Sequence, residues 1–256
     1  MSEPPPELVA RLRAAGCVFA EEEASLLVEA TADPARRELL VRRRVTGERL
    51  EDVLGWAEFC GVRYLISPGV FVPRHRTEHL ARLARARLAP DGTLLDLCCG
   101  TGALAGAVTR WIPGLVVHAA DLDPAAVACA RRNLPGVTVH TGDLYDALPP
   151  LLAGTVDVLL ANVPYVPHDE IAFLPPEARD HENPLAVDGG PDGLSVFRRV
   201  VSGAMRWLAP GGWLFCEVSQ GQADLAVDIA TRAGLEAFTE FSEEFETTAL
   251  VGRRPH

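Results

Sequence analysis

Asn162, Pro164 and Tyr165 stand directly behind an apolar run, in the stretch L-L-A-N-V-P-Y-V-P (159–167). An asparagine side chain has no accessible titration, so it is no general base; its carbonyl oxygen can accept a hydrogen bond. The residue before a proline is held extended, which aims the backbone carbonyl of Val163 in a fixed direction. Two such acceptors would hold the plane of an –NH2 group and favour positive charge developing on its nitrogen. Tyr165 adds a flat apolar wall. The same residues also make an ordinary turn, so the surrounding chain has to decide between the two readings.

Three other clusters carry chemistry. D-L-C-C-G-T-G runs from Asp96 through Cys98, Cys99, Gly100 and Thr101 to Gly102 and opens a helical pattern. Glycines there let a backbone approach a ligand, and a helix N-terminus offers unpaired N–H groups. Gly100, Gly102 and Ala105 also fit a dinucleotide fingerprint, so the loop by itself is weakly specific. Asp121 and Leu122 end a later apolar run; a carboxylate there can take both hydroxyls of a ribose. Asp123-Pro124 reads as a helix cap and first helical residue. Asp143-Leu144 follow T-G, where the carboxylate meets an adenine edge or simply closes a turn.

The elements needed to bring these together are readable. Strands are expected at 93–97, 116–121, 137–141, 156–161 and 212–218, and helices at 103–111, 124–134, 195–208 and 222–233. This alternation specifies an α/β fold, a doubly wound, mostly parallel, seven-stranded sheet. Its last two strands, near 237–241 and 248–252, are too close for a helical crossover and form an edge hairpin. In such sheets ligands sit beyond the carboxyl ends of the strands, which is where all four clusters fall. The chain divides into a small helical domain (1–58), a hairpin and linker (59–90) and an α/β sheet domain (91–256). Leu8, Leu12 and Ala15 form one apolar stripe of the helical part; Ala24, Leu27 and Val28 form another. R-R-E-L-L-V-R-R-R reads as a solvated helix face. Residues 1–6 are expected to be disordered, Pro68-Gly69 to be the hairpin turn, and the linker to lie within 74–92.

Composition narrows the function. A formal charge of −11 disfavours a general nucleic-acid binder, whose affinity rests on neutralising phosphates. The chain contains no lysine, which excludes Schiff-base chemistry and a P-loop lysine. Six cysteines without C-x-x-C spacing read as reduced, buried thiols and give no metal site. The sequence opens with neither a signal peptide nor a membrane span, so it reads as a soluble, cytoplasmic monomer.

Asp96 at the head of the glycine loop, N-V-P-Y and the L-A-P-G-G-W-L turn at 208–214 are similar to S-adenosylmethionine-dependent methyltransferases. Nearly the whole chain resembles the HemK/PrmC-type protein-glutamine N5-methyltransferases. G-V-R-Y-L-I-S-P-G-V-F-V-P-R-H-R-T-E-H-L (61–80) resembles that family's hairpin and V-P-R-P-E-T-E segment, and residues 162–165 its N-P-P-Y. L-P-P-E-A-R-D-H-E-N-P-L-A-V-D-G-G-P-D-G-L (174–194) resembles its L-P-P-E-V-x-x-x-E-P-x-x-A-L-x-G-G-x-D-G-L, the most family-specific match. Four departures stand out. Cys98 replaces the first loop glycine, a change tolerated if its backbone angles are ordinary. Val163 replaces a proline, His75 and Arg76 replace Pro and Glu, and the closing strands lack an expected arginine.

The resemblance implies S-adenosylmethionine as cofactor, a release factor as protein substrate, and a small domain that helps to hold it. It implies that Asn162, Val163, Pro164, Tyr165 and Phe71 contact the amide. Asp96, the 98–102 loop, Asp121, Leu122, Asp143, Leu144 and Asn162 would contact the cofactor, with Arg74 and Thr77 at its methionine end. His75, His168 and Asp169 read as loop residues shaping a substrate mouth. Other readings are methyl transfer to another amide or amine (a small molecule or an adenine amino group), a non-catalytic cofactor-binding module, and a nicotinamide oxidoreductase.

Overall fold

A computed structural model describes residues 3–174, 179 and 182–256. Part of the long 174–194 match, residues 175–178 and 180–181, lies outside the described residues, as do the first two of the chain.

Helices α1 (Pro6–Ala14), α2 (Ala20–Ala30), α3 (Pro34–Val45) and α4 (Leu50–Leu54) open the chain. Leu8, Leu12, Ala24, Leu27, Val41 and Val53 close a core of their own. Asp33 starts α3 by accepting the Ala35 N–H at 2.9 Å, with Pro34 pre-set as the first helical residue. Two readings of this part need correction. Ala15 is exposed and lies beyond the end of α1, because Gly16 at φ +91° stops the helix one residue later. The arginine run is not wholly solvated: Arg44 is buried and bonds both Glu23 oxygens, at 2.6 and 3.0 Å.

β1 (Trp56–Phe59) and β2 (Val62–Leu65) form the hairpin. Its turn is Cys60-Gly61, not Pro68-Gly69. Both turn residues have positive φ (51° and 71°), the conformation whose twist matches that of paired strands. The segment expected as linker contains a 3-10 turn at His75–Thr77 and helix α5 (Glu78–Arg87). Leu80, Ala81, Leu83 and Ala84 of α5 are buried in the main core.

The sheet contains β3 (Thr93–Leu97), β4 (Val116–Asp121), β5 (Thr138–Thr141), β6 (Val156–Ala161), β7 (Leu208–Val218), β8 (Glu236–Ser242) and β9 (Thr247–Arg253). Their order is β5-β4-β3-β6-β7-β9-β8, with β9 alone running against the other six strands. Helices α6 (Ala103–Trp111), α7 (Pro124–Asn133), α8 (Ser195–Trp207) and α9 (Ala223–Arg232) make the crossovers. Phe197, Val200, Val201 and Ala204 recur at helical spacing on α8, and all four are fully buried against β6 and β7. Emptying the Phe197 site would cost about 3–5 kcal/mol. Among the described residues no helix is long and apolar enough to cross a membrane.

Candidate active site

The strand register lines up one row of residues. Ala161 of β6 pairs with Leu97 on one side and Cys216 on the other, and Leu97 pairs with Ala120. The next residue along each parallel strand is therefore Asp121, Cys98, Asn162 and Glu217, side by side at the carboxyl edge. The strands are mostly apolar before that point, with Asp96 as a buried exception, because the central ones are covered on both faces, and the row forms where the helix layers end. Above the row lies a cavity of about 620 Å3.

On one side of the cavity Asp121 organises the glycine loop. Its Oδ2 accepts the Gly100 N–H at 2.8 Å and its Oδ1 the Asp123 N–H at 2.9 Å. Burial pushes the Asp121 carboxyl upward against these bonds. Asp96 is fully buried and accepts the Ala105 N–H at the start of α6, at 3.1 Å. Its burial, with Asp121 as a nearby like charge, pushes it up to about 7 despite that bond. Cys98, Cys99, Gly100, Thr101, Leu122, Asp143 and Leu144 also line the cavity. Asp143 meets a partner that the sequence reading did not foresee: Arg199 of α8 donates to its Oδ2 at 2.7 Å. Asp123 caps α7 through the Ala125 N–H at 2.8 Å, as its position before a proline implies.

Cys98 departs from its expectation. Its φ is +57°, so this backbone is left-handed rather than ordinary, and a side chain there costs about 1–2 kcal/mol that glycine avoids. The thiol side chain is partly buried among apolar residues of the core, which offsets part of that strain.

On the other side, Asn162 Nδ2 donates to Thr77 Oγ1 at 3.2 Å, and Thr77 Oγ1 donates to Glu217 Oε2 at 2.7 Å. Tyr165 OH donates to Glu217 Oε1 at 2.9 Å. Arg76 closes the set, with Nε on Glu217 Oε1 at 2.9 Å and Nη2 on the Tyr165 hydroxyl at 2.6 Å. Val163 is buried, and Phe71, Pro164 and Tyr165 line the cavity. Thr77, expected at the methionine end of the cofactor, thus has its hydroxyl committed between Glu217 and Asn162. Arg74 also lines the cavity, but its guanidinium is engaged by the buried Glu182 and stands 5.3 Å from the Phe71 ring. Glu182 in turn meets Arg49 of the N-terminal helical segment at 3.4 Å.

The histidines lie apart from the row. His75 is exposed, 3.3 Å from Glu78 and against the Phe245 ring. His168 is exposed and pairs with Asp188 at 2.8 Å, which raises its pKa. Asp169 is exposed beside it. Among the described residues no three His, Cys, Asp or Glu gather as a metal ion would require.

Glu217 is the residue that sequence reasoning missed. The strand-end rule applied one strand further, to β7, would have found it. Arg76, in sequence only a departure from the family pattern, bridges Glu217 and Tyr165. The D-G-G-P-D-G-L part of the long match buttresses Tyr165 from behind. Gln222 Nε2 donates to the Tyr165 carbonyl at 2.9 Å and to that of Asp192 at 3.1 Å, and Val166 bonds the Val187 carbonyl at 3.2 Å.

The cavity has a size that suits a nucleoside-bearing cofactor. It is lined on one side by carboxylates facing a glycine loop and on the other by the amide of Asn162, a donor set that fits S-adenosylmethionine. Residues 94–183 match the family described as a methyltransferase domain. A release factor glutamine methyltransferase of Geobacter sulfurreducens is 37% identical over 202 residues, covering 78% of this chain and 71% of that protein. One from Moorella thermoacetica is 33% identical over 251 residues, covering 89% and 88%. A 4-amino-L-phenylalanine/4-methylamino-L-phenylalanine methyltransferase of Streptomyces pristinaespiralis is 41% identical over 186 residues, covering 69% and 63%. Among solved structures, a Pyrococcus furiosus methyltransferase aligns with a TM-score of 0.58 at 15% identity, over 87% of this chain and all of that one. A ribosomal protein L11 methylase of Lactobacillus delbrueckii aligns at 0.54 and 16%, over 75% and 84%. The structural likenesses show the shared α/β fold, and the two long sequence matches decide the family: this chain belongs to the release factor glutamine methyltransferases.

Proposed function

We propose that the protein transfers a methyl group from S-adenosylmethionine to the side-chain amide nitrogen of a glutamine in a peptide chain release factor. The observation that carries this reading is the N-V-P-Y turn at the wall of the cavity, with Val163 and Pro164 buried and Asn162 and Tyr165 half-buried. The family relatives name the substrate class. The bound cofactor supplies a methyl group on a sulfonium, ready for in-line displacement.

The chain's residues do the rest. Asp121 offers its carboxylate to ribose hydroxyls, the 98–102 loop lets backbone approach, and Asp143 and Leu144 border the base. Asn162 Oδ1 and the Val163 carbonyl each accept one amide N–H of the substrate. That fixes the plane of the nitrogen and favours the positive charge that grows there as the new N–C bond forms. The amide proton passes to bulk water as the methylated side chain leaves the walled site, since Asn162 cannot take it. Tyr165 and Phe71 wall the flat amide and exclude solvent. Val163 preserves this arrangement because its contribution is backbone. The −11 charge supports a protein rather than a nucleic-acid partner.

Incubation with a methyl-labelled cofactor and a release factor carrying a G-G-Q loop is expected to label that glutamine, located by mass spectrometry. Asn162→Ala is expected to lower turnover by ~100-fold or more while cofactor affinity holds. Absence of label on the glutamine, or full turnover by the variant, overturns the proposal.

A further inference from the structure

We infer that Glu217 is a positioning residue that sets which end of the Asn162 amide faces the substrate, acting through the single proton of Thr77. The inference rests on the amide-methylation reading above and adds to it a device that holds the clamp in its working orientation.

An asparagine amide fits a pocket equally well in two orientations, with oxygen and nitrogen exchanged. Only one of them presents an acceptor to a substrate –NH2. The other would turn two N–H donors against the two N–H donors of the substrate. Something must therefore break the degeneracy, and the neighbours of Asn162 do so by donor arithmetic.

Arg76 is a donor at every nitrogen and lies 2.9 Å from Glu217 Oε1. A carboxylate held against a guanidinium accepts at both oxygens. Thr77 Oγ1 stands 2.7 Å from Glu217 Oε2, so the only Thr77 proton is given to Glu217. The Thr77 oxygen is left as an acceptor, and what it faces at 3.2 Å must be the –NH2 of Asn162. The Asn162 oxygen is thereby turned away from Thr77. Thr77 and Glu217 are 4% and 2% exposed, so water cannot substitute readily for either partner. The same carboxylate takes the Tyr165 proton at 2.9 Å, so one group anchors both ends of N-V-P-Y.

Glu217→Gln keeps the shape and changes the arithmetic. The oxygen of the new side-chain amide can still serve Arg76, which places its –NH2 against Thr77. Thr77 then accepts from that –NH2 and donates onward, and the Asn162 amide turns over.

The expected result in E217Q is a fall in kcat of ~100-fold, the scale of one misplaced electrostatic contact, with KM for the protein substrate and cofactor Kd little changed. Thr77→Val removes the bias without reversing it, so it is expected to lose only ~2–5-fold, Thr77→Ser to keep turnover near wild type, and E217Q/T77V to lose less than E217Q alone, because the two residues act in series. In 15N–1H spectra of the substrate-free protein, the Asn162 side-chain resonances should shift in E217Q and T77V and stay in place in T77S. A kcat in E217Q close to wild type, a double variant as impaired as E217Q or more so, or unmoved Asn162 resonances overturn the inference. The spectroscopic readout involves no substrate, so a wild-type protein that labels no glutamine sinks the proposed function alone.

Discussion

Gly193 is packed directly against the wall of the site. Its φ is +74°, and a methyl group built on it would overlap the Tyr165 carbonyl oxygen and the Gln222 amide nitrogen. Gln222 can withdraw only by breaking its bonds to the Tyr165 and Asp192 carbonyls. Tyr165 cannot withdraw without moving the backbone of N-V-P-Y. Two costs therefore combine in Gly193→Ala. A left-handed backbone costs a non-glycine residue about 1–2 kcal/mol, and overpacking costs about 1–3 kcal/mol. A total of about 3 kcal/mol lowers the melting temperature of a chain this long by ~6–12 °C. Two other glycines separate the terms. Gly136 has φ +84° with nothing within 4 Å, so Gly136→Ala isolates the backbone cost, about 1–2 kcal/mol. Gly221 has neither constraint, so Gly221→Ala is expected within about 0.5 kcal/mol of wild type. Thermal melts of the three variants give the order of loss, with Gly193→Ala greatest and Gly221→Ala least. Well below its melting point, Gly193→Ala should also lose ~10–100-fold in turnover, because displacing a positioned wall misaligns the acceptor. A Gly193→Ala protein that melts with Gly136→Ala and turns over normally would refute the packing argument.

Two further outcomes follow from the glycine loop. Cys98→Gly should be more stable than Cys98→Ala by about 1 kcal/mol in urea unfolding, since both lose the thiol contacts and only glycine relieves the left-handed backbone; an alanine variant that matches or exceeds glycine refutes the strain. Asp96 has a folded pKa raised to about 7 by burial, so its stabilising contribution is full below the unfolded value near 4 and is lost as pH rises through 7. Asp96→Asn should therefore gain on wild type in melting temperature between pH 5 and pH 8, and a gap that stays constant with pH would contradict this.

Much of the sheet was legible because its strands are buried on both faces. They read as short, largely apolar runs between glycine, proline and aspartate, and β3, β4 and β6 begin and end where the sequence pattern places them. The hairpin turn was not legible. Pro68-Gly69 is a strong punctuator, whereas Cys60-Gly61 hides a positive φ behind a residue that seldom adopts one. The α5 segment reads as linker because its apolar stripe is broken by arginines, yet Leu80 and Leu83 are buried in the core. At the site, the acidic strand ends were readable one by one, since a carboxylate after an apolar run has few structural uses. The Thr77–Glu217–Arg76 set was not, because its members lie about 140 residues apart and meet only once β7 is laid beside β6. Cys98 shows the limit of reasoning from residue type: a cysteine carries no sign of the backbone angle it must accept.

The placement of β9 has a consequence for how the molecule is made. β8 emerges from the ribosome first, yet it sits outside β9 and pairs with nothing else in the sheet. Until β9 appears, β8 has no seat, and the apolar flank of β7, including Leu214, Phe215 and Cys216, is an open strand edge. At ~5–20 residues per second, that edge stays open for seconds on each nascent chain. Synthesis that stalls or terminates before residue 247 would release a sheet with an adhesive flank, and the cell's chaperones and proteases would meet that flank first.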